Sequence, residues 1–152
     1  MSRSAARMRD FDAEFRVAAP PAQVWAILTD LPCYREWNPF LREARGEIRE
    51  GGRVLLQMRP PGGNPLRFTV RVDQVEETRR VRWVAHLAAD SLFRAVHEFR
   101  LEPVGQRATR LQVSAHFSGA LAGLVPGFLY RRQHHGLERM AEAMQERAAT
   151  GA

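Results

Sequence analysis

The chain has 152 residues, 23 basic and 17 acidic, for a formal charge of +6. That length suits one domain with a real buried core and excludes a large multidomain enzyme. Hydrophobic residues at 45% and charged residues at 26% are globular values and exclude wholesale disorder.

The first element in chain order is Phe11 to Val17, where Phe11, Ala13, Phe15 and Val17 alternate with Asp12, Glu14 and Arg16. Period two with a polar partner face predicts a half-buried strand. Pro20-Pro21 stops it and suits the first turn of a helix, whose apolar face is Val24, Trp25, Ile27 and Leu28. Leu31-Pro32 opens a second short helix through Trp37, and Asn38-Pro39 ends it. Six strands follow: Leu41 to Ile48; Val54 to Met58; Leu66 to Asp73; Val81 to Leu87; Phe93 to Leu101; and Leu111 to Phe117. Turn signals separate them, notably Glu50-Gly51-Gly52 and Pro60-Pro61-Gly62-Gly63. The C-terminal section is helical, with Leu124, Phe128, Leu137, Met140, Met144 and Ala148 recurring near three- and four-residue spacings. Pro126 marks its entry or a kink. Segregated helices and an antiparallel run of strands make an α+β class, with one domain over 11–149. Residues 1–10, carrying Arg3, Arg7 and Arg9, are expected as a disordered basic tail. They lack the apolar stretch of a secretory signal. No run reaches the roughly 18 apolar residues of a membrane span. The expected compartment is the cytoplasm.

Ala22-Gln23-Val24-Trp25-Ala26-Ile27-Leu28-Thr29-Asp30, followed by Tyr34-Arg35-Glu36-Trp37-Asn38-Pro39-Phe40, resembles the SRPBCC superfamily (START/Bet v 1-like). It is similar to the polyketide cyclase/dehydrase-like branch. Gly46, Gly52, the Pro60 to Gly63 turn, Trp83, His97 to Pro103 and Phe117-Ser118-Gly119 add to the resemblance, which spans about residues 10 to 148. It implies a helix-grip fold: a seven-stranded antiparallel sheet wrapped around a long C-terminal helix, with two short helices between strands 1 and 2. It also implies a deep hydrophobic cavity for a lipid, polyketide or isoprenoid-like ligand. One departure is visible, because Ala115 and His116 stand where an acidic residue is expected before Phe117.

Strand parity puts Phe93, Ala95, His97, Phe99 and Leu101 on one inward face, with Trp83, Val113, Ala115 and Phe117, and sends His86 and His116 outward. The expected ligand-lining set is Trp25, Tyr34, Trp37, Met58, Phe68, Val70, Trp83, Phe93, His97, Phe99, Val113, Phe117, Phe128 and Met140. Such a set is mostly apolar with one or two orienting groups. Two roles are open to His97: a core histidine satisfied by a neighbour, or a group that contacts ligand. As a candidate catalytic residue it would serve as a general base near neutral pH. Tyr34, Trp83 and Tyr130 are the other polar candidates.

No metal site and no cofactor are expected. Cys33 stands alone, His134 and His135 point about 100° apart, and no HExxH pattern exists. Walker, GxGxxG and GxSxG motifs are also absent. Every basic residue is Arg, interleaved with Asp and Glu on predicted outer faces, as at Glu138-Arg139. That spacing predicts a solvated, ion-paired surface rather than a nucleic-acid stripe. Residues 121 to 132 end an apolar stretch with Arg131-Arg132, a candidate for transient contact with an anionic membrane. A monomer or weak homodimer is expected. Three functions compete: binding of a small hydrophobic molecule, a cyclase/aromatase-like enzyme acting on a poly-carbonyl chain, and a protein-interaction module. Binding is favoured, because one titratable residue faces inward and an acid–base pair does not.

Overall fold

The computed structural model describes residues 10–87 and 91–150. Most of the expected N-terminal tail lies outside the described residues. Seven strands form one antiparallel sheet: β1 (Phe11–Val17), β2 (Leu41–Gly46), β3 (Arg53–Met58), β4 (Leu66–Glu76), β5 (Arg80–Leu87), β6 (Phe93–Val104) and β7 (Ala108–Ser118). Their spatial order is β1-β7-β6-β5-β4-β3-β2. Between β1 and β2 lie α1 (Pro21–Thr29), a 3₁₀ turn (Leu31–Cys33) and α2 (Tyr34–Trp37). A second 3₁₀ turn (Ala122–Leu124) precedes α3 (Gly127–Ala149), which packs on the inward face of the sheet.

The turn chemistry explains the boundaries. Pro21 occupies the first turn of α1, where its missing N–H costs nothing. Asn38 ends α2 and shapes the next turn: its Oδ1 accepts from the backbone N–H of Phe40 at 3.0 Å and of Leu41 at 2.9 Å. The second strand stops at Gly46, two residues short of the expected Ile48. Gly46 has φ of +138°, and a Cβ there would overlap the Arg53 carbonyl oxygen.

Parity holds along β5, β6 and β7. Trp83 pairs with His97, and His97 with Ala115. Trp83, Ala95, His97, Phe99, Leu101, Val113, Ala115 and Phe117 are buried, while His86 and His116 are exposed. Two register shifts reset the alternation elsewhere. Between Val72 and Gln74 the shift hands the inward face from even to odd positions, so that Val75 stands opposite Val81. A second shift lies between Leu41 and Glu43.

The outer face is laced with ion pairs, including Arg82–Asp73 and Arg80–Glu76 at 2.6 Å and Arg100–Glu98 at 2.7 Å. Pairs at the solvent surface contribute about 0–1 kcal/mol each; these are partly covered, with Arg82 and Asp73 both half-buried. Among the described residues no helix is long and apolar enough to cross a membrane.

α3 corrects one expectation. Its buried stripe is Tyr130, Leu137, Met140, Met144 and Ala148, whereas Phe128 is 47% exposed and Leu124 is 77% exposed. Phe128 precedes Leu137 by nine residues, and nine steps of about 100° leave it half a turn from the stripe. Leu124 lies before the helix begins.

Candidate functional site

The site is built around a row across the sheet: Phe11, Ala115, His97, Trp83 and Val72. α3 covers this row. Tyr130 lies against Phe117 with ring centroids 5.0 Å apart, and His134 stacks on Phe11 at 5.2 Å. The Phe117 ring meets the His97 ring edge-on at 6.0 Å, and Trp83 packs on Phe99 at 5.3 Å. His97 is 5% exposed, and neither ring nitrogen has a hydrogen-bond partner. Burial is the main cause that lowers its pKa to about 4, with His116 adding a smaller electrostatic push. The imidazole is therefore neutral at pH 7, offering one N–H donor and one lone-pair acceptor in an apolar surround. Buried polar groups left unpaired are rare in native interiors and call for a physical account. A base this weak is poorly matched to proton abstraction at neutral pH.

The other polar candidates are already engaged. Tyr34 is fully buried and its hydroxyl donates to the Leu28 carbonyl; burial pushes its phenol pKa well up. The Tyr130 hydroxyl donates to the Ala122 carbonyl at 2.6 Å. Both hydroxyls fix helical segments in place. Gln133, not anticipated from sequence, does belong to the interior. Its Nε2 donates to Met58 Sδ, and its Oε1 is buried without a partner. A signal for it existed, since Gln133 continues the Leu137, Met140 and Met144 stripe one turn earlier, a polar residue on an apolar face.

The structure brings together most of the expected set. Met58, Val70, Trp83, Phe99, Val113, Phe117 and Met140 are all buried in one core. Phe68 and Phe93 pack against that core yet stay partly exposed. Trp25 and Trp37 pack on it from α1 and α2 and are also partly exposed. Trp37 meets Tyr34 edge-on at 5.3 Å and lines a surface hollow with Cys33 and Arg147. Phe128 points outward, with the Arg132 guanidinium 5.1 Å above its ring.

Between the sheet and the helix, Trp83, Phe99, Leu137, Met140 and Met144 are each no more than 2% exposed. A surface groove of about 510 Å³ lies elsewhere, by the β4–β5 turn and the end of β6. The interior loosens at the other end of the sheet. There Phe68, Ala85, Phe93 and Val125 pack on the core but remain partly exposed. His97 is four residues along β6 from Phe93, about 13 Å at strand rise.

A seven-stranded antiparallel sheet curled over one long C-terminal helix, with short helices after the first strand, defines a helix-grip protein of the START/Bet v 1-like class. More narrowly, the chain belongs to the family described as polyketide cyclase / dehydrase and lipid transport, whose pattern matches residues 8–145. No curated protein matches the sequence. Solved structures share the fold. A START superfamily protein from Mycobacterium smegmatis is 22% identical, with a TM-score of 0.75 over 94% of this chain and 99% of its own. An aromatase/cyclase from Streptomyces sp. R1128 is 20% identical, with a TM-score of 0.72 over 93% of each chain. A norcoclaurine synthase mutant from Thalictrum flavum is 12% identical, with a TM-score of 0.65 over 93% of this chain and 94% of its own.

Proposed function

We propose that the protein binds a small, largely apolar molecule between the sheet and α3, with one hydrogen-bonding group of the ligand on His97. The unpartnered imidazole carries this reading. A hydroxyl, carbonyl or protonated acid would satisfy one or both ring nitrogens, and the aromatic and aliphatic surround would take the rest. Access would be from the loosened end, past Phe93 and Phe68, with Phe117 and Tyr130 shifting to admit the ligand. The family's description covers both cyclases and lipid transport. Binding fits better than proton abstraction, because the His97 pKa near 4 leaves little basicity at pH 7 and both tyrosine hydroxyls are committed to backbone carbonyls.

The test is organic extraction and mass spectrometry of the purified protein, paired with titration by the fluorescent probe 1-anilinonaphthalene-8-sulfonate. The wild type should yield a defined apolar compound that displaces the probe. His97→Leu should fold, retain the probe and release at least tenfold less of that compound. Equal recovery from both proteins would remove His97 from the site.

A further inference from the structure

Five of the six exposed large apolar side chains among the described residues stand at one end of the molecule: Leu66, Leu92, Leu124, Phe128 and Leu129. They come from three separate connections. Leu66 opens β4 after the β3–β4 turn, Leu92 precedes β6, and the others lie between β7 and the first turn of α3. Backbone hydrogen bonds tie two of these connections together, from Leu121 N–H to the Leu92 carbonyl and from Ala120 N–H to the Ser91 carbonyl, both 2.9 Å. The approach is close enough that a Cβ on Gly119, whose φ is +105°, would lie 2.5 Å from the Leu92 carbonyl oxygen. The patch is therefore held by the fold rather than scattered along a flexible loop.

Its charge is one-sided. Arg59, Arg67 and Arg131 are exposed around it, and Arg132 lies over Phe128. The connections 59–65, 88–92 and 119–126 contain one acidic residue in sequence, Asp90, which lies outside the described residues. Asp10 and Asp12 sit by His116 on the outer face of β7, at 3.4 and 4.0 Å. α3 also begins here, so the positive end of a 23-residue helix points the same way.

Single exposed apolar residues are ordinary, but a cluster rimmed by one sign of charge marks a contact surface. We infer that this end of the molecule docks on an anionic lipid bilayer, with Leu124 and Phe128 entering the headgroup boundary and the arginines meeting lipid phosphates. Apolar burial and attraction to anionic lipid act together in such docking. A protein partner would fit less well, because the apolar side chains come from the start of β4, the loop before β6 and the entry to α3 rather than from one continuous helix or sheet face. Docking stands independently of the ligand proposal: vesicle binding is measured without ligand and does not involve His97.

The test is co-sedimentation of the full chain with vesicles of phosphatidylglycerol and phosphatidylcholine in equal parts, and with phosphatidylcholine alone. The protein should pellet with the anionic vesicles at low salt and release as salt rises. Each arginine near the surface is worth about fivefold in partition. Arg131→Gln with Arg132→Gln should thus weaken binding about 25-fold, and Leu124→Ser with Phe128→Ser should weaken it at least tenfold. Leu55→Ser, on the remaining exposed apolar residue, should leave it unchanged. Circular dichroism melts keep loss of fold apart from loss of docking. Absence of pelleting with anionic vesicles at low salt would overturn the inference, as would equal binding to neutral vesicles or indifference to both double variants. A dimer in sedimentation velocity that Phe128→Ser abolishes, without vesicle binding, would assign the patch to self-association instead.

Discussion

Replacing His97 by leucine should stabilise the ligand-free protein, and the gain should widen in acid. His97 is buried with both nitrogens unpaired. Each unsatisfied buried group costs about 1–3 kcal/mol, whereas an apolar group of similar shape escapes that cost. Allowing for imperfect packing of the branched side chain, the expected gain at pH 7 is about 2 kcal/mol. For a chain of this size that is a rise of about 4–8 °C in Tm. Acid adds a second signature. Burial holds the His97 pKa near 4, below the 6.5 of an unperturbed histidine. Between those values the unfolded chain binds the proton and the native state does not, so native stability falls as pH drops from 6.5 towards 4. The full effect is about 3 kcal/mol. Below pH 4 both states are protonated and no more is lost. His97→Leu lacks the group, so the stability gap between variant and wild type should grow by that amount across the window. Carboxylates titrate in both proteins and cancel in the difference. Urea unfolding at pH 7.0, 5.5 and 4.5 measures it. A variant less stable than wild type at pH 7, or a gap that does not change with pH, would show that His97 is hydrogen-bonded in solution and would withdraw the argument for a ligand.

Gly136→Ala should destabilise the protein by about 1–3 kcal/mol, because its Cβ would sit 2.1 Å from Phe40 Cδ1; Phe40→Leu in the same chain should recover part of the loss in thermal melts. Asn38→Ala should cost about 2 kcal/mol in urea unfolding by leaving the Phe40 and Leu41 amides without their acceptor; a near-neutral result would mean that water replaces it. Thr109→Val should cost about 1 kcal/mol, since the Thr109 hydroxyl donates to the Ala19 carbonyl at 2.7 Å in a fully buried position. Cys33 should react with iodoacetamide at pH 8 about a hundredfold more slowly than an ordinary thiol. Hydrogen bonding to Asp30 first, then to Glu36, pushes its pKa from 9.0 up to about 11. Asp30→Asn should restore much of the rate, followed by mass spectrometry.

The alternating strands, the proline and glycine boundaries and the helical stripe from Leu137 to Ala148 are local properties of the chain. Period two and period 3.6 fix which residues share a face whatever the partner, so the inward position of His97 and the outward position of His116 were legible in the sequence. The structure confirms those faces and the seven strands, and the family pattern over residues 8–145 confirms the family. Three features depended on the assembled molecule. Phe128 faces solvent because α3 starts at Gly127 and its phase is set by the buried stripe, not by spacing from Leu124. Tyr34 and Tyr130 carry hydroxyls that sequence could only offer as candidates; tertiary packing spends both on nearby carbonyls. The apolar, arginine-rimmed end gathers Leu66, Leu92 and Leu124 from connections far apart in the chain, and no window of sequence contains them together. Local periodicity thus determined which side chains turn inward. The sheet order and the path of α3 decided which of them remain unpaired, because pairing depends on distance between elements that the sequence does not encode locally.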